Sequence, residues 1–199
     1  MALLFGKQIW DKLKTVIPNE YGLAGLMGNL QAESGLIPYR VQGDFTDGYT
    51  TSLSYTTNVD NGAISEYEFV HEGPNGGGYG LAQWTFYTRK QKLYNKKVSM
   101  GVSIGSLNLG CEYLLEELSN EYPSVLNVLL HATSIRQASD KVLIDFESPG
   151  DTSESVQIMR ANLGKAIYNA YSGGEIPIDP FPESPHQKMP FLLMCMKKR

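Results

Sequence analysis

The feature that most constrains this chain is a helical period repeatedly cut short by its own stop signals. Ile9, Trp10, Leu13, Val16 and Ile17 recur three and four apart, and Pro18 ends the run. Asn19 is placed to cap a second helix whose stripe is Leu23, Leu26, Met27 and Leu30, with Gly35 as its terminator. Glycines at 22, 25 and 28 fall on every third position of that segment, which allows close helix packing. The period returns after residue 85. Thr85 is read as the cap of a helix over about 86–96, and Ser106 precedes a stripe at Leu107, Cys111, Leu114, Leu115 and Leu118. Pro123 suits the first turn of a helix bearing Leu126, Leu129 and Leu130, and Thr133 opens another with Ile135, Ala138, Val142 and Phe146. A last helix over about 153–171 would bury Val156, Met159, Leu163, Ala166, Ile167 and Ala170.

Two segments break the helical pattern. Residues 41–72 are rich in Thr, Ser, Tyr and Asp, with Asn61-Gly62 between two β-prone runs at 49–57 and 63–70. That composition predicts a small β-hairpin or three-stranded insert, and so an α+β, mainly α class. Residues 175–199 hold Pro177, Pro180, Pro182, Pro185 and Pro190, half of the chain's 10 prolines. They read as a linker or a docking segment beyond one domain over 1–174.

Composition narrows the function classes. Hydrophobic residues make up 42% of the 199 residues and aromatics 11%, enough for a real core. Charged residues are 19% with a net charge of −4, which lacks the clustered basic footprint of a nucleic-acid binder. No apolar run reaches the roughly 18–20 residues of a membrane span. Met1 to Phe5 is too short an apolar stretch for a signal peptide. Cys111 and Cys195 match no disulfide framework or metal spacing, and His71, His131 and His186 stand in unrelated contexts, so no metal or other cofactor is expected. Cys111 lies on an apolar stripe and reads as a small buried hydrophobe.

Chemistry concentrates in Met27-Gly28-Asn29-Leu30-Gln31-Ala32-Glu33-Ser34-Gly35. Glu33 lies three residues after Leu30 and seven after Leu26, on the apolar side of its helix and in the last turn. Burial and the negative end of the helix dipole both disfavour a charged carboxylate there. A carboxylic acid that keeps its proton near neutral pH is what glycosidic cleavage requires, since the leaving oxygen must be protonated. The plainer reading is a capping or salt-bridged helix-end glutamate. A second segment, Gly76-Gly77-Gly78-Tyr79-Gly80-Leu81-Ala82-Gln83-Trp84-Thr85, joins close-approach glycines to an amide with donor and acceptor and to two flat aromatic faces.

These two segments, in this order and with a polar insert between them, resemble the lysozyme-like superfamily of soluble lytic transglycosylases and goose-type lysozymes. The closer resemblance is to the phage tail lysozyme family, in the Met27–Gly35 and 76–85 patterns. It extends more weakly through Leu107–Leu118 and Phe146-Glu147-Ser148-Pro149 to Arg160, covering about 7–174. The resemblance implies a lysozyme-like fold and a peptidoglycan glycosidase cleaving between N-acetylmuramic acid and N-acetylglucosamine. Glu33 would be the catalytic acid, Ser34 would support it, and Tyr79, Gln83 and Trp84 would line the sugar groove. It also implies a virion location at the tail tip with other tail proteins as partners, against the alternative of an endolysin released into the host cytoplasm by a holin.

The second carboxylate is open among Asp44, Asp47 and Glu72. Asp47 is preferred because a turn just ahead of the first strand of the insert would aim it into the cleft; a solvated turn aspartate is the competing reading. Asp60 reads as the hairpin turn, and Glu66 and Glu68 as flanks of the second strand. A lytic transglycosylase would manage without a second carboxylate. Glu147 and Arg160 read as a structural ion pair between the last two helices. A catalytically silent wall-binding or tail-structural protein is the reading from another class.

Overall fold

The computed structural model describes residues 3–73 and 77–173. Eight α-helices are present among them: α1 (Gly6–Lys14), α2 (Glu20–Ser34), α3 (Thr50–Asp60), α4 (Tyr87–Met100), α5 (Leu107–Asn120), α6 (Pro123–His131), α7 (Ile135–Lys141) and α8 (Glu154–Tyr171). Helix α7 runs on into a wider π-type turn, Val142–Glu147, and a second such turn spans Glu68–Glu72.

Helix α2 is the axle. Every residue from Gly22 to Leu30 is buried, as expected for a helix with apolar or small residues on all sides. It packs against α1, α6, α7 and α8. Its start is fixed by Asn19, whose Oδ1 accepts from the Tyr21 and Gly22 amides. The same side chain donates through Nδ2 to the Leu130 and Ala132 carbonyls, which ties the start of α2 to the end of α6. Its end is a left-handed Gly35 (φ 66°), where a Cβ would strain the backbone. Ser106 and Pro123 occupy the starts of α5 and α6 as their sequence positions predict. Ser134 rather than Thr133 caps α7, and α4 starts from Phe86 without a side-chain cap.

The glycine spacing on α2 has a direct packing cause. A Cβ on Gly22 would lie 1.8 Å from the Leu129 carbonyl oxygen, and one on Gly25 2.6 Å from the Ala138 methyl. One on Gly28 would lie 2.5 Å from the Arg160 carbonyl oxygen and 2.6 Å from the Gly164 nitrogen. These last obstacles are backbone, so α8 would have to move away. Gly28→Ala is therefore expected to lose about 2–3 kcal/mol despite alanine's better helix propensity. Urea unfolding checks this; an unchanged midpoint would show that the two helices are not in intimate contact.

The predicted β insert is not there. Among the described residues no strand forms, and only two isolated bridges occur, Val41 with Tyr79 and Tyr79 with Trp84. Residues 47–72 are instead a short 3₁₀ turn (Asp47–Tyr49), helix α3 and the Glu68–Glu72 turn, so the class is mainly α. The buried positions explain the error. Ser52, Thr56 and Val59 are spaced four and three apart and face inward together, whereas a strand would bury alternate residues. Adjacent Phe69 and Val70 are both buried, which a two-sided strand with one wet face forbids. The Asn61-Gly62 turn is real, with Gly62 at φ 81°, but it leaves a helix and not a strand. β-propensity measures fit to a pleated surface, and here no pleated surface exists to fit.

The proposed segment 175–199 lies outside the described residues, with Cys195 and His186 in it.

Candidate active site

The last turn of α2 presents Glu33 and Ser34 to different surroundings. Ser34 is buried and its Oγ donates to the Leu30 carbonyl at 3.0 Å. Glu33 keeps 17% of its side-chain exposure and meets Arg160 of α8, whose Nη2 donates to Glu33 Oε1 at 2.5 Å. Nη1 of the same guanidinium donates to Asn29 Oδ1 at 3.2 Å. Asn29 is held in turn by its own Nδ2, which donates to the Gly25 carbonyl and to the carbonyl and hydroxyl oxygens of Ser139. Asn29 and Glu33 are one helical turn apart, so one guanidinium fork spans both. That gives Gly28-Asn29-x-x-x-Glu33 a physical meaning: the glycine admits α8, and the two polar residues receive its arginine.

The ion pair bears on the expectation for Glu33. The guanidinium that meets it is supplied from 127 residues further along the chain, so the structure shows the salt-bridged helix-end glutamate of the plainer reading. The pairing of Glu147 with Arg160 read from the sequence is also revised, because Arg160 bonds to Glu33 and Asn29 instead.

Glu147 nonetheless belongs to the same cluster. It closes the π-type turn after α7 and is followed by Ser148 in the left-handed region at φ 44°. Its Oε1 is fully removed from solvent without a hydrogen-bond partner, and so is Arg160 Nε. Burial first, then the neighbouring Glu33 carboxylate, push the Glu147 carboxyl from an ordinary 4.5 up to about 8, against the opposing pull of Arg160 and Arg89. Arg89 of α4 forms a two-pronged pair with Glu117 of α5, Nε to Oε1 at 2.5 Å and Nη2 to Oε2 at 2.8 Å, and lies over the Phe146 ring.

The glycine-rich segment meets the residues that follow α2. Its first residue, Gly76, lies outside the described residues. The Arg40 carbonyl accepts from the Gly80 amide at 2.8 Å and from Gln83 Nε2 at 3.1 Å, and Gln42 Oε1 accepts from the Gly78 amide at 2.8 Å. Gly80 is left-handed at φ 78°. Gln83 is half-buried and spends its amide N–H groups on holding this junction, the second going to the Gly80 carbonyl at 2.9 Å. Tyr79 and Trp84 are 0% and 1% exposed. The flat faces expected for sugar rings are turned inward: Tyr79 OH meets Thr56 Oγ1 at 2.6 Å, and Trp84 Nε1 donates to Glu117 Oε2 at 2.9 Å. Trp84 thus links the glycine segment to the buried charge cluster. Among the described residues, the large aromatic rings left outside are Phe45, Tyr67, Phe86 and Tyr87.

The second-acid candidates separate cleanly. Asp44 is 4% exposed and accepts four hydrogen bonds, from the amides and hydroxyls of Thr46 and Ser52. Burial would raise its pKa, but these four bonds outweigh it and hold the carboxyl down at about 2. Asp44 is committed to fixing the start of α3. Asp47 is exposed at the head of the 3₁₀ turn, and Glu72 is exposed at the end of the Glu68–Glu72 turn. Asp60 is a tether, accepting from Ser103 Oγ and the Ile104 amide.

The arrangement offers a half-covered carboxyl backed by a buried guanidinium and a second, proton-retaining carboxyl. That set suits proton transfer to a leaving group at the surface of α2. Asn29, Arg89, Glu117 and the nearness of Glu147 to Glu33 were missed from sequence; burial of Glu117 on the stripe side of α5 was the one available signal. Among the described residues no group of three or more His, Cys, Asp or Glu side chains could hold a metal ion, and no helix is long and apolar enough to cross a membrane. No curated protein matches the chain. The phage tail lysozyme family pattern matches residues 6–171, which takes in α1 to α8 and every group described above. On that match, spanning most of its length, the chain belongs to the phage tail lysozyme family.

Proposed function

We propose that this chain is a muramidase-type lysozyme in which Glu33 protonates the glycosidic oxygen and Asp47 acts across the cleft as the second carboxylate. The coarser statement comes from the family: a lysozyme is a glycosidase that degrades peptidoglycan. The finer one is supported by the position of Glu33. It is the acid of the family-matching helix end, partly open to solvent, with its inner side against buried charge. Protonation drives departure of the leaving sugar through an oxocarbenium-like transition state, and a carboxylate on the other face stabilises or assists attack on it. Asp47 is favoured over Asp44 because Asp44 is already spent on four hydrogen bonds. The exposed rings of Phe45, Tyr67, Phe86 and Tyr87 are the surfaces available to stack on sugars, in place of Tyr79 and Trp84. The family's name supports placement on the phage tail, where the enzyme would open the wall during entry alongside other tail proteins.

Digestion of purified peptidoglycan followed by mass spectrometry tests the reading. Reducing muramic acid ends are expected; 1,6-anhydro ends would make the enzyme a lytic transglycosylase, and reducing glucosamine ends a glucosaminidase. Asp47→Ala is expected to lower turnover by about 10²-fold, in the range of a single positioned acid or base. Near-full activity of that variant beside a dead Glu72→Gln would move the role to Glu72.

A further inference from the structure

Five ionisable side chains from separate elements converge at the end of α2. They are Glu33 on α2, Arg160 on α8, Glu147 at the end of the π-type turn, Arg89 on α4 and Glu117 on α5. Arg89 and Glu117 neutralise each other through two bonds. The remainder is two carboxyls facing one guanidinium. With both ionised the cluster would carry one uncompensated negative charge with Glu147 Oε1 cut off from water, which favours retention of one proton.

The two orphaned atoms show where the alternative lies. Glu147 Oε1 is a buried acceptor without a donor, and Arg160 Nε is a buried donor without an acceptor. Arg160 itself is only 6% exposed, so solvent does little to satisfy it. Buried polar groups left unpaired each cost on the order of 1–3 kcal/mol, so an acceptor and a donor left unpaired in one cluster call for an explanation.

We propose that Glu147 is a positioning residue of the glycosidase centre, the alternative partner of Arg160, so that guanidinium and proton exchange between the two glutamates. In the resting arrangement Arg160 pairs with Glu33 and the proton sits on Glu147. In the competent arrangement the proton has moved to the Glu33 carboxyl and Arg160 turns to the Glu147 carboxylate. The exchange creates and removes no charge. Glu33 then delivers the proton to the glycosidic oxygen, and the attacking hydroxyl group returns one to the cluster. The raised pKa of Glu147 agrees with this, since burial and the Glu33 charge hold its proton to about pH 8. Four charged neighbours act on Glu147: Glu33 and Glu117 favour its proton, Arg160 and Arg89 oppose it. The inference rests on Glu33 being the acid of the proposed function.

The test is the pH profile of wall clearing for wild type, Glu147→Gln and Glu33→Gln, each first shown folded by circular dichroism. Wild type should lose activity with an alkaline midpoint near 8, where the retained proton leaves. Glu147→Gln leaves one carboxyl and one guanidinium with no reason to keep a proton. Its alkaline midpoint should fall by at least about one unit, and its activity at pH 7.5 about tenfold. A loss of activity with the alkaline limb unmoved would overturn the inference, because a merely structural role lowers amplitude alone. If Glu33→Gln clears walls as wild type does, the acid assignment fails and not this step. Should Glu147→Gln not fold, carbon-13 carboxyl NMR of the wild type decides. One glutamate should titrate near 8 and shift downward in Glu33→Gln; no glutamate above 6 would overturn the proposal.

Discussion

Glu33→Gln is expected to abolish wall clearing while leaving the fold intact. The amide keeps the volume of the carboxyl and still offers an oxygen to Arg160 Nη2, now 2.5 Å from Glu33 Oε1. What disappears is the transferable proton. A positioned general acid contributes about 10²–10⁴-fold, and no other group on the outer face of this helix end can replace it. Stability should change little. Removing the Glu33 charge also removes one of the influences that keep Glu147 protonated, so Glu147 can ionise and take over as partner to Arg160. Turbidity clearing and thermal melting on one preparation check both halves. Equal clearing by wild type and variant would refute the assignment of the acid, and no clearing by either would favour a wall-binding protein without activity.

The helical body was legible because its signals are local. Asn19 needs only the amides two and three residues on, Gly35 only its own left-handed φ, and Pro123 only a first turn with no amide to satisfy. The insert was misread because Thr50, Thr51, Thr56 and Thr57 score as β-formers in isolation. Their fate is set by what covers them: Thr56 is capped by the Tyr79 hydroxyl and Thr57 donates back to the Leu53 carbonyl within the helix. Aromatic identity was equally ambiguous. Tyr79 and Trp84 carry flat faces, but each also carries a polar atom that found an inward partner, Thr56 for one and Glu117 for the other. The charge cluster was the least legible. Its members are drawn from α2, α4, α5, α8 and the turn after α7, and only the packing of α8 into the Gly28 notch decides that Arg160 reaches Glu33. From spacing alone Glu147 was the nearer and more obvious partner.

Arg160 is where stability and activity should fail together. Arg160→Met keeps an unbranched stem that can fill the channel between α2 and α8 but deletes the cation. Glu33 and the Asn29 amide oxygen then lose their shared donor and Glu147 loses a neighbouring positive charge, and breaking a buried pair by removing one partner costs about 3–5 kcal/mol. For a chain of this size that corresponds to a melting temperature lower by roughly 10 °C. The deficit should depend on pH in a defined direction. The Glu147 carboxyl is raised from 4.5 to about 8 in the folded chain, so between those values the folded state holds a proton that the unfolded state has released. Stability therefore falls as pH rises through that window. Arg160 is one of the two charges opposing that upward shift, so its loss extends the window and steepens the fall. Melts at pH 5 and pH 8 should show the smaller gap from wild type at pH 5. Arg160→Lys separates charge from geometry: an ammonium can neutralise Glu33 but cannot reach Glu33 and Asn29 as a planar fork does. It should recover much of the melting temperature and little of the clearing rate. A gap that is the same at both pH values would mean that Arg160 stabilises the fold by packing alone.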